Sequence, residues 1–524
     1  MHGFRKYGGE AYQVSVFENK MAGKVARKRN RYSLQERGTQ MSVFETAIFE
    51  LKVDAAKTLG EWKERVRTRH AHVGIIGLGY VGLPLALLFA AENFRVTGFD
   101  ADSAKVEKLN RGESYIWRIE REHIERAKAK GFKATDDFAE IARMDAVLIC
   151  VPTPLSEHHV PDLSYVVATV ETIAQHVHAG QLVVLESTTY PGTTEEIVVR
   201  TLNGLGAERG VQVMLRDVDA IQKTKTVTCG VAEISETPDA EFALDGVMVA
   251  FSPEREDPGN LVILRNKIPR VIGGVDGSAE VAAEALYGAI FEKTVTVSTP
   301  AAAEMTKLLE NIYRAVNIAM VNELKQLCLR MGIDVWEVIN AAATKPFGFQ
   351  AFYPGPGIGG HCIPVDPFYL SWKAREYGFT TKFIELAGEI NEAMPTFIVQ
   401  QVALALNDAR KALNGAQVLV LGVGYKRDVD DLRESPSLTI IELLRQRGVR
   451  VSYNDPFFPT VGRGRKYVLD MRSTPLEGLE QYDCVLIATD HSSYDYERIV
   501  RESRLVIDTR NATRDIPSAK VVRC

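Results

Sequence analysis

Two stretches of this chain combine residue types and spacing that could do chemistry. The first is Gly77-Leu78-Gly79-Tyr80-Val81-Gly82, with Asp100 standing 23 residues after Gly77. Glycines at these positions allow a tight turn and let a pyrophosphate approach the N-terminus of the following helix, where free amides and the helix dipole favour an anion. A carboxylate at the end of the next strand accepts hydrogen bonds from ribose hydroxyls and repels a 2′-phosphate, which favours NAD over NADP. Glycines alone are a weak signal; strand, motif, helix, strand and acid in that order make a strong one. The cofactor set on this reading is Gly77, Gly79, Tyr80, Val81, Gly82 and Asp100. The second stretch is Pro354-Gly355-Pro356-Gly357-Ile358-Gly359-Gly360-His361-Cys362-Ile363-Pro364-Val365-Asp366-Pro367. Its glycines and prolines exclude a regular element. Such a loop can bring backbone amides up to a substrate while holding a thiol in place. Beside a redox cofactor, a thiolate at Cys362 suits covalent capture of an aldehyde. By residue type alone, a buried inert cysteine suits the loop too.

Two further groups are ambiguous by themselves. Lys307 and Asn311 are four apart in a helical pattern and share one face. They could stabilise a developing oxyanion, or be an ordinary solvated face. Gly422-Val423-Gly424 repeats half of the glycine motif, but Arg427 stands where a third glycine would fall. A second NAD site is therefore not expected; a nucleotide diphosphate and a structural turn fit these residues equally.

The elements that must position these residues follow from periodicity. From residue 71, strands alternate with amphipathic helices: strands at His72–Ile76, Arg95–Phe99, Ala146–Val151 and Leu182–Leu185, and a helix at Leu83–Ala91. That alternation predicts a parallel, doubly wound sheet. Residues 300–330 read as one long helix free of Gly and Pro, with Met305, Leu308, Leu309, Ile312, Val316, Met320, Leu324 and Leu327 as its apolar stripe. At 1.5 Å per residue it would be about 45 Å long, enough to connect two lobes. The α/β pattern then resumes, with strands at Gln417–Leu421, Val449–Tyr453, Val485–Thr489 and Leu505–Ile507 and a helix at Leu438–Gln446.

Composition bounds the rest. A chain of 524 residues holds about two to four domains. Hydrophobic residues are 46%, charged residues 25% and the net charge is −5, which argues against nucleic acid or an anionic membrane as the main partner. No apolar run approaches the ~20 residues of a membrane span. Six scattered cysteines without a CxxC pair suit free thiols in a reducing, cytoplasmic setting, not a disulfide scaffold or a metal site. Residues 1–40 are basic, with a Lys24–Arg31 cluster and no apolar signal segment. They read as a disordered tail or a start placed too early, with Met41 the alternative start, and a basic targeting peptide is the rival reading; a helix is expected near 42–67.

In order along the chain, the Gly77–Gly82 fingerprint, Val151-Pro152-Thr153-Pro154, Glu186-Ser187-Thr188-Thr189-Tyr190-Pro191-Gly192, Ser252-Pro253-Glu254-Arg255, Lys307 with Asn311, the Cys362 loop, and Gly424-Tyr425-Lys426 through Asp431-Leu432-Arg433-Glu434-Ser435 resemble the UDP-glucose/GDP-mannose dehydrogenase family. The likeness spans about residues 71–515. It implies two Rossmann-like doubly wound domains joined by a long central helix and a helical middle domain. The boundaries expected are 1–70 for an N-terminal extension, 71–298 for the NAD domain, 299–400 for the central dimerisation and cysteine domain, and 401–524 for the UDP domain. Residues 204–246 are longer than the family pattern and read as an insertion.

The resemblance also implies a reaction: four-electron oxidation of a UDP-sugar C6 hydroxyl to the acid, with Cys362 forming first a thiohemiacetal and then a thioester. Asp366 and Thr189 would order the water that takes the hydroxyl proton, Lys307 and Asn311 would stabilise tetrahedral oxyanions, and Glu254 would serve as the base in thioester hydrolysis. Thr153, Thr189 and Arg433 would join the NAD site. Glu254, Lys307, Asn311, Phe352, Tyr353, Gly359 and Lys426 would bind the substrate, the two aromatics near the uracil. No metal is implied, and a homodimer or higher homo-oligomer is. The Ser252–Asn260, Gly359–Pro367 and Trp372–Gly378 segments are similar to the UDP-N-acetylglucosamine branch. UDP-glucose enzymes usually carry Lys where Val365 stands and a second Glu where Pro258 falls. UDP-ManNAc, UDP-GalNAc, UDP-glucose or GDP-mannose as substrate, an inactive nucleotide-sugar-binding protein, and a simple two-electron dehydrogenase are the rival readings.

Overall fold

The computed structural model describes residues 55–524 except 117–118, 157–159, 207–209, 214–242, 256–263, 361–362 and 464–467. The basic tail with the start at Met41, most of the insertion, and Cys362 with His361 lie outside the described residues.

The first sheet is built from β1 (His72–Ile76), β2 (Arg95–Phe99), β3 (Lys133–Thr135), β4 (Ala146–Ile149), β5 (Leu182–Leu185), β6 (Met248–Phe251), β7 (Arg270–Gly274) and β8 (Thr294–Val297). Their order is β3-β2-β1-β4-β5-β6-β7-β8, parallel throughout except where β7 runs antiparallel to β6. Runs such as Val-Leu-Ile in β4 and Leu-Val-Val-Leu in β5 are buried at every position, as strands covered on both faces require. The strand order reverses between β1 and β4, so the loops after these two strands border one crevice at the carboxyl edge, the place where doubly wound sheets bind ligands.

The second sheet contains β9 (Gln417–Leu421), β10 (Arg450–Asn454), β13 (Cys484–Ile487), β14 (Val506–Asp508) and β15 (Val521–Arg523), all parallel, in the order β10-β9-β13-β14-β15. A separate antiparallel pair, β11 (Thr460–Arg463) and β12 (Val468–Arg472), lies between β10 and β13 in the chain. Two Rossmann-like sheets around a helical middle are thus present as expected.

Helix α1 (Leu59–Arg67) departs from the expected extension to residue 70. Its Trp62 is fully buried, and the indole Nε1 donates to the Ala282 carbonyl at 3.2 Å. Arg65 pairs with Asp145 at 3.0 Å, and Asp145 in turn accepts from the His72 amide at the start of β1. Residues 59–67 therefore belong to the core of the first α/β domain, because an amphipathic helix carrying a tryptophan must bury that face against something. Helices α2 (Gly82–Ala91) and α3 (Gly277–Gly288) pack in the same core.

The middle is formed by α4 (Pro300–Met331), α5 (Val335–Ala343), α6 (Asp366–Ala374) and α7 (Lys382–Asp408). Thr299 caps α4 by accepting from the Ala302 amide at 3.1 Å, and Gly332 ends it with φ 68°. The helix does contain a proline, Pro300, but in the first turn, where the missing N–H has no intrahelical partner to lose. The apolar stripe read from the sequence is split: Leu308 is fully buried and Ile312 and Val316 are half-buried, but most of its other members face outward. Met305, Leu309, Met320, Leu324 and Leu327 are 39–62% exposed, whereas Glu304, Lys307, Asn311, Asn322 and Lys325 are buried. The inward face is mixed: Ala303, Leu308, Ala315, Ala319 and Val321 are buried beside these polar groups, and at the α7 interface Asn322 donates to Asn391 at 2.9 Å and Asn391 donates to the Ala315 carbonyl at 3.1 Å.

Candidate active site

The cofactor end starts from the turn after β1. Gly77 has φ 91°, and a Cβ there would lie 2.6 Å from the Cys150 carbonyl oxygen. A Cβ on Gly82 would lie 2.0 Å from the Gly77 oxygen. These two glycines are required by the close approach of turn, helix and neighbouring strand. Gly79 differs: nothing lies within 4 Å of its Cβ position, so the space beside it is open to a ligand. Val81 precedes α2 without a side-chain cap; the Leu83 amide bonds the Gly79 carbonyl at 3.1 Å and Pro84 has no N–H, so an anion would meet the helix start at Gly82. Asp100 is buried, accepts from the Leu78 amide and the Asp102 amide at 3.0 Å each, and has Lys105 at 3.5 Å. Each carboxylate oxygen keeps a lone pair for a ribose hydroxyl. Thr153 is buried and its carbonyl accepts from the Tyr369 hydroxyl at 2.9 Å. Thr189 is fully buried and its hydroxyl has no hydrogen-bond partner among the described residues, an unusual state that a bound ligand or water would relieve. The residues at this crevice fit a dinucleotide.

At the opposite end, α4 and α6 bring three predicted residues together. Asn311 donates from Nδ2 to Asp366 Oδ2 at 2.5 Å, and both are buried. Lys307 is 6% exposed, so the solvated reading of this lysine fails. Burial raises the Asp366 carboxyl to about 7 against the opposing pull of Lys307 and Asn311. A carboxyl poised there can exchange a proton at neutral pH. Glu254, in the loop after β6, is also nearly enclosed. Burial opposes its ionisation, but Arg270, Arg265 and Lys307 outweigh it and hold the carboxyl below its ordinary value. Lys307 thus acts on both carboxylates, which are driven in opposite directions, the pattern of paired acids with different tasks.

The third wall comes from the second domain. The Gly355 amide donates to Asn322 Oδ1 at 3.0 Å, and the Gly360 amide donates to the Arg433 carbonyl at 2.8 Å. Gly359 leaves no room for a side chain, since a Cβ would lie 2.5 Å from that of Tyr425 and 2.9 Å from the Glu434 oxygen. Residues 355–360 are therefore clamped between α4 and the second α/β domain. Arg433 is paired with Asp431 at 2.7 Å, and its guanidinium lies 4.9 Å from the centre of the Tyr80 ring in the glycine turn. It links the turn after β9 to the glycine turn of the first sheet. Lys426 lies in the turn after β9, partly exposed. Asp455, the counterpart of Asp100, is already saturated: Val423 at 2.7 Å, Gly424 at 3.1 Å, Phe457 at 2.8 Å and the buried His491 at 3.1 Å all bond to it. With Thr489 packed against Gly422, this turn is closed, in keeping with the absence of a second dinucleotide fingerprint. Phe352 and Tyr353 point to packing in this chain: Phe352 meets Tyr313 edge-on at 5.7 Å, and Tyr353 stacks on Trp336 at 5.5 Å.

Three residues near the site carried no role in the sequence reading. Arg270 and Glu186 form a buried ion pair that continues to Glu254. Glu304 accepts from the Gly192 amide at 2.6 Å and from the Thr194 amide and hydroxyl at 2.9 and 2.7 Å, tying α4 to the loop that carries Thr189. The available signal was a charged residue inside an otherwise apolar run, as Arg270 is in Arg-Val-Ile-Gly-Gly.

Comparison with known proteins agrees with this geometry. Three family models match successive segments: the NAD binding domain of the UDP-glucose/GDP-mannose dehydrogenase family at residues 71–291, its central domain at 301–393 and its UDP binding domain at 419–515. A UDP-N-acetyl-D-mannosamine dehydrogenase from Pyrococcus horikoshii is 33% identical over 86% of this chain and 98% of its own length. A solved structure of the UDP-D-ManNAc dehydrogenase from that organism superposes with a TM-score of 0.71, at 33% identity and with the same shares of each chain covered. A UDP-N-acetyl-D-glucosamine 6-dehydrogenase from Pseudomonas aeruginosa is 31% identical over 80% of this chain and 91% of its own. With the turn, the buried Lys-Asn-Asp cluster and the closed second domain all in place, the chain belongs to the UDP-glucose/GDP-mannose dehydrogenase family, whose members are NAD-dependent oxidoreductases of nucleotide sugars.

Proposed function

We propose that this enzyme oxidises the C6 hydroxyl of UDP-N-acetylglucosamine to the carboxylate, through a covalent intermediate on Cys362. The observation that carries the reading is the buried Asn311–Asp366 hydrogen bond beside Lys307, a proton-exchanging carboxyl next to a cation and an amide donor. Gly77, Gly79, Gly82, Asp100, Thr153, Thr189 and Arg433 hold NAD, which accepts hydride when bound. Asp366 and Thr189 hold the water that takes the C6 hydroxyl proton as hydride leaves that carbon. The Cys362 thiolate adds to the resulting aldehyde, and Lys307 and Asn311 stabilise the oxyanion of the thiohemiacetal. Loss of a second hydride from that carbon, for which a second NAD in the same site would be the acceptor, leaves a thioester. Glu254, kept ionised by its cationic neighbours, takes a proton from water, whose oxygen attacks the acyl carbon. The carbon–sulfur bond breaks, releasing the acid and the thiolate. Gly359 and Lys426 complete the UDP-sugar site.

The N-acetylglucosamine preference rests on likeness in the Ser252–Asn260, Gly359–Pro367 and Trp372–Gly378 segments. A second reading, UDP-N-acetylmannosamine, is favoured by the Pyrococcus relative named for that sugar, which is covered over 98% of its length. Turnover with a panel of nucleotide sugars separates the two. The same assay should yield two NADH per sugar consumed, and Cys362→Ser should abolish acid formation while preserving NAD binding. One NADH per sugar, or a full acid yield from the serine variant, would defeat the covalent route.

We further propose a homodimer through α4, supported by its free apolar face: Met305, Leu309, Met320, Leu324 and Leu327, with Val338 of α5 beside them in sequence. A cytoplasmic setting is supported by Cys150, Cys328, Cys484 and Cys524, all free thiols.

A further inference from the structure

The loop that carries Glu254 is anchored by a side chain that touches no substrate on the reading above. Arg270 opens β7 and is 2% exposed. Its Nη1 donates to Glu254 Oε2 at 3.2 Å, its Nη2 donates to Glu186 Oε2, and its Nε donates to Ser252 Oγ at 2.9 Å. The guanidinium lies 4.9 Å from the Tyr287 ring centre and 5.3 Å from that of Phe291. Tyr287 donates its hydroxyl to the other oxygen of Glu186. A chain of contacts thus runs from α3 through the end of β5 and the start of β7 to Glu254.

A buried ion pair of this kind is a poor stabiliser, because desolvation of two charges consumes most of what their attraction returns. An apolar cluster would hold three strands together as well. What an apolar cluster could not do is fix the direction and charge of a carboxylate. We infer that Arg270 is a positioning residue for the reaction: its guanidinium, gripped between Glu186 and Glu254, holds the Glu254 carboxylate in place and ionised, and Glu186 moderates that effect from the far side. The inference rests on the reading of Glu254 as the base in thioester hydrolysis.

The charged and titratable groups facing Glu254 come from five elements. They are Arg270 from β7, Arg265 from the turn Arg265–Lys267, Lys307 from α4, Glu186 after β5 and Cys150 after β4. The neighbouring Arg255 is committed elsewhere, to Glu310 and the Pro269 carbonyl. Removing the cation and removing the remote carboxylate should therefore push Glu254 in opposite directions. A scaffold role alone predicts no such opposition.

The test follows decay of the acyl-enzyme against pH in single turnovers of the full enzyme with NAD and UDP-N-acetylhexosamine, so that the acid limb read is that of thioester hydrolysis and not of the earlier proton transfer beside Asp366. Arg270→Gln should move that limb up by about one pH unit or more and lower kcat at least tenfold, with KM for NAD unchanged. Arg270→Lys should recover part of the shift, since it keeps the charge but loses the fork. Glu186→Gln should move the limb down. Should Arg270→Gln fail to fold, the Arg270→Lys and Glu186→Gln pair still decides, because their limbs must move apart. Limbs that stay put or move together in folded variants overturn the inference. Glu254→Gln provides the separate control: it should accumulate acyl-enzyme, visible as an added mass on the intact protein. If it accumulates while the other limbs stay still, only the Arg270 role is lost. If it does not, the base assignment falls, and this inference with it.

Discussion

Asp366 and Glu254 show how one site gives two carboxyls different work. Asp366 is buried with a single amide donor, and burial lifts it to about 7. Glu254 is buried too, yet facing cations keep it ionised. If Asp366 holds the water that accepts the C6 proton, it must itself be ionised, so kcat/KM should fall about tenfold per pH unit below about 7. Asp366→Asn should lower kcat by about 10²–10⁴ and remove that limb, which a pH–rate profile would show. An acid limb near pH 4 in the parent enzyme would mean another group takes the proton.

At the scale of elements, the turn between β1 and α2 separates packing from binding within six residues. Gly77 and Gly82 have no room for a Cβ, and Gly77 also needs its positive φ. Gly79 has open space around it. Gly77→Ala should therefore lower both the denaturation midpoint and NAD affinity. Gly79→Ala should keep the parent midpoint and still weaken NAD binding, because the new methyl occupies the approach of the pyrophosphate. Equal stability losses in both variants, by denaturant titration, would contradict this division. Helix α4 is likewise two-sided: its inward face carries Lys307, Asn311 and Asn322, and its outward face carries leucines and methionines.

At the scale of the whole molecule, α4 joins the candidate site to the proposed dimer interface. Its buried face positions residues for chemistry while its exposed face offers a contiguous apolar strip of a kind seldom left free in a monomer. Replacing Leu309 and Leu327 with Asp should convert the proposed dimer to a monomer in sedimentation velocity, with the midpoint of the isolated chain little changed because both side chains are at least half exposed. A parent protein that sediments as a monomer would dismiss that interface. The Arg433–Tyr80 contact is the other long-range feature, since it links the glycine turn of one sheet to the loop after the first strand of the other.

Much of this was legible from residue order. The β1 strand, the glycine turn, Asp100, the long α4 helix and the second α/β set are local patterns, set by backbone preferences and side-chain period over a few residues. The Lys307–Asn311 spacing was visible as well, but not which way it faced. A period of 3.6 marks a stripe without saying how much of it is covered, and here Leu308 is buried while Met305, Leu309, Met320, Leu324 and Leu327 are exposed. Only the tertiary structure decided that, because burial depends on what the helix meets: α7, α6 and the loop of Gly355 in this fold. The same holds for Asp366 and Asn311, 55 residues apart in sequence and 2.5 Å apart in space, and for Arg270, whose importance comes from two carboxylates delivered by separate strands. Contacts between distant segments leave no period in the chain, so their geometry exists only once the sheets and helices have packed.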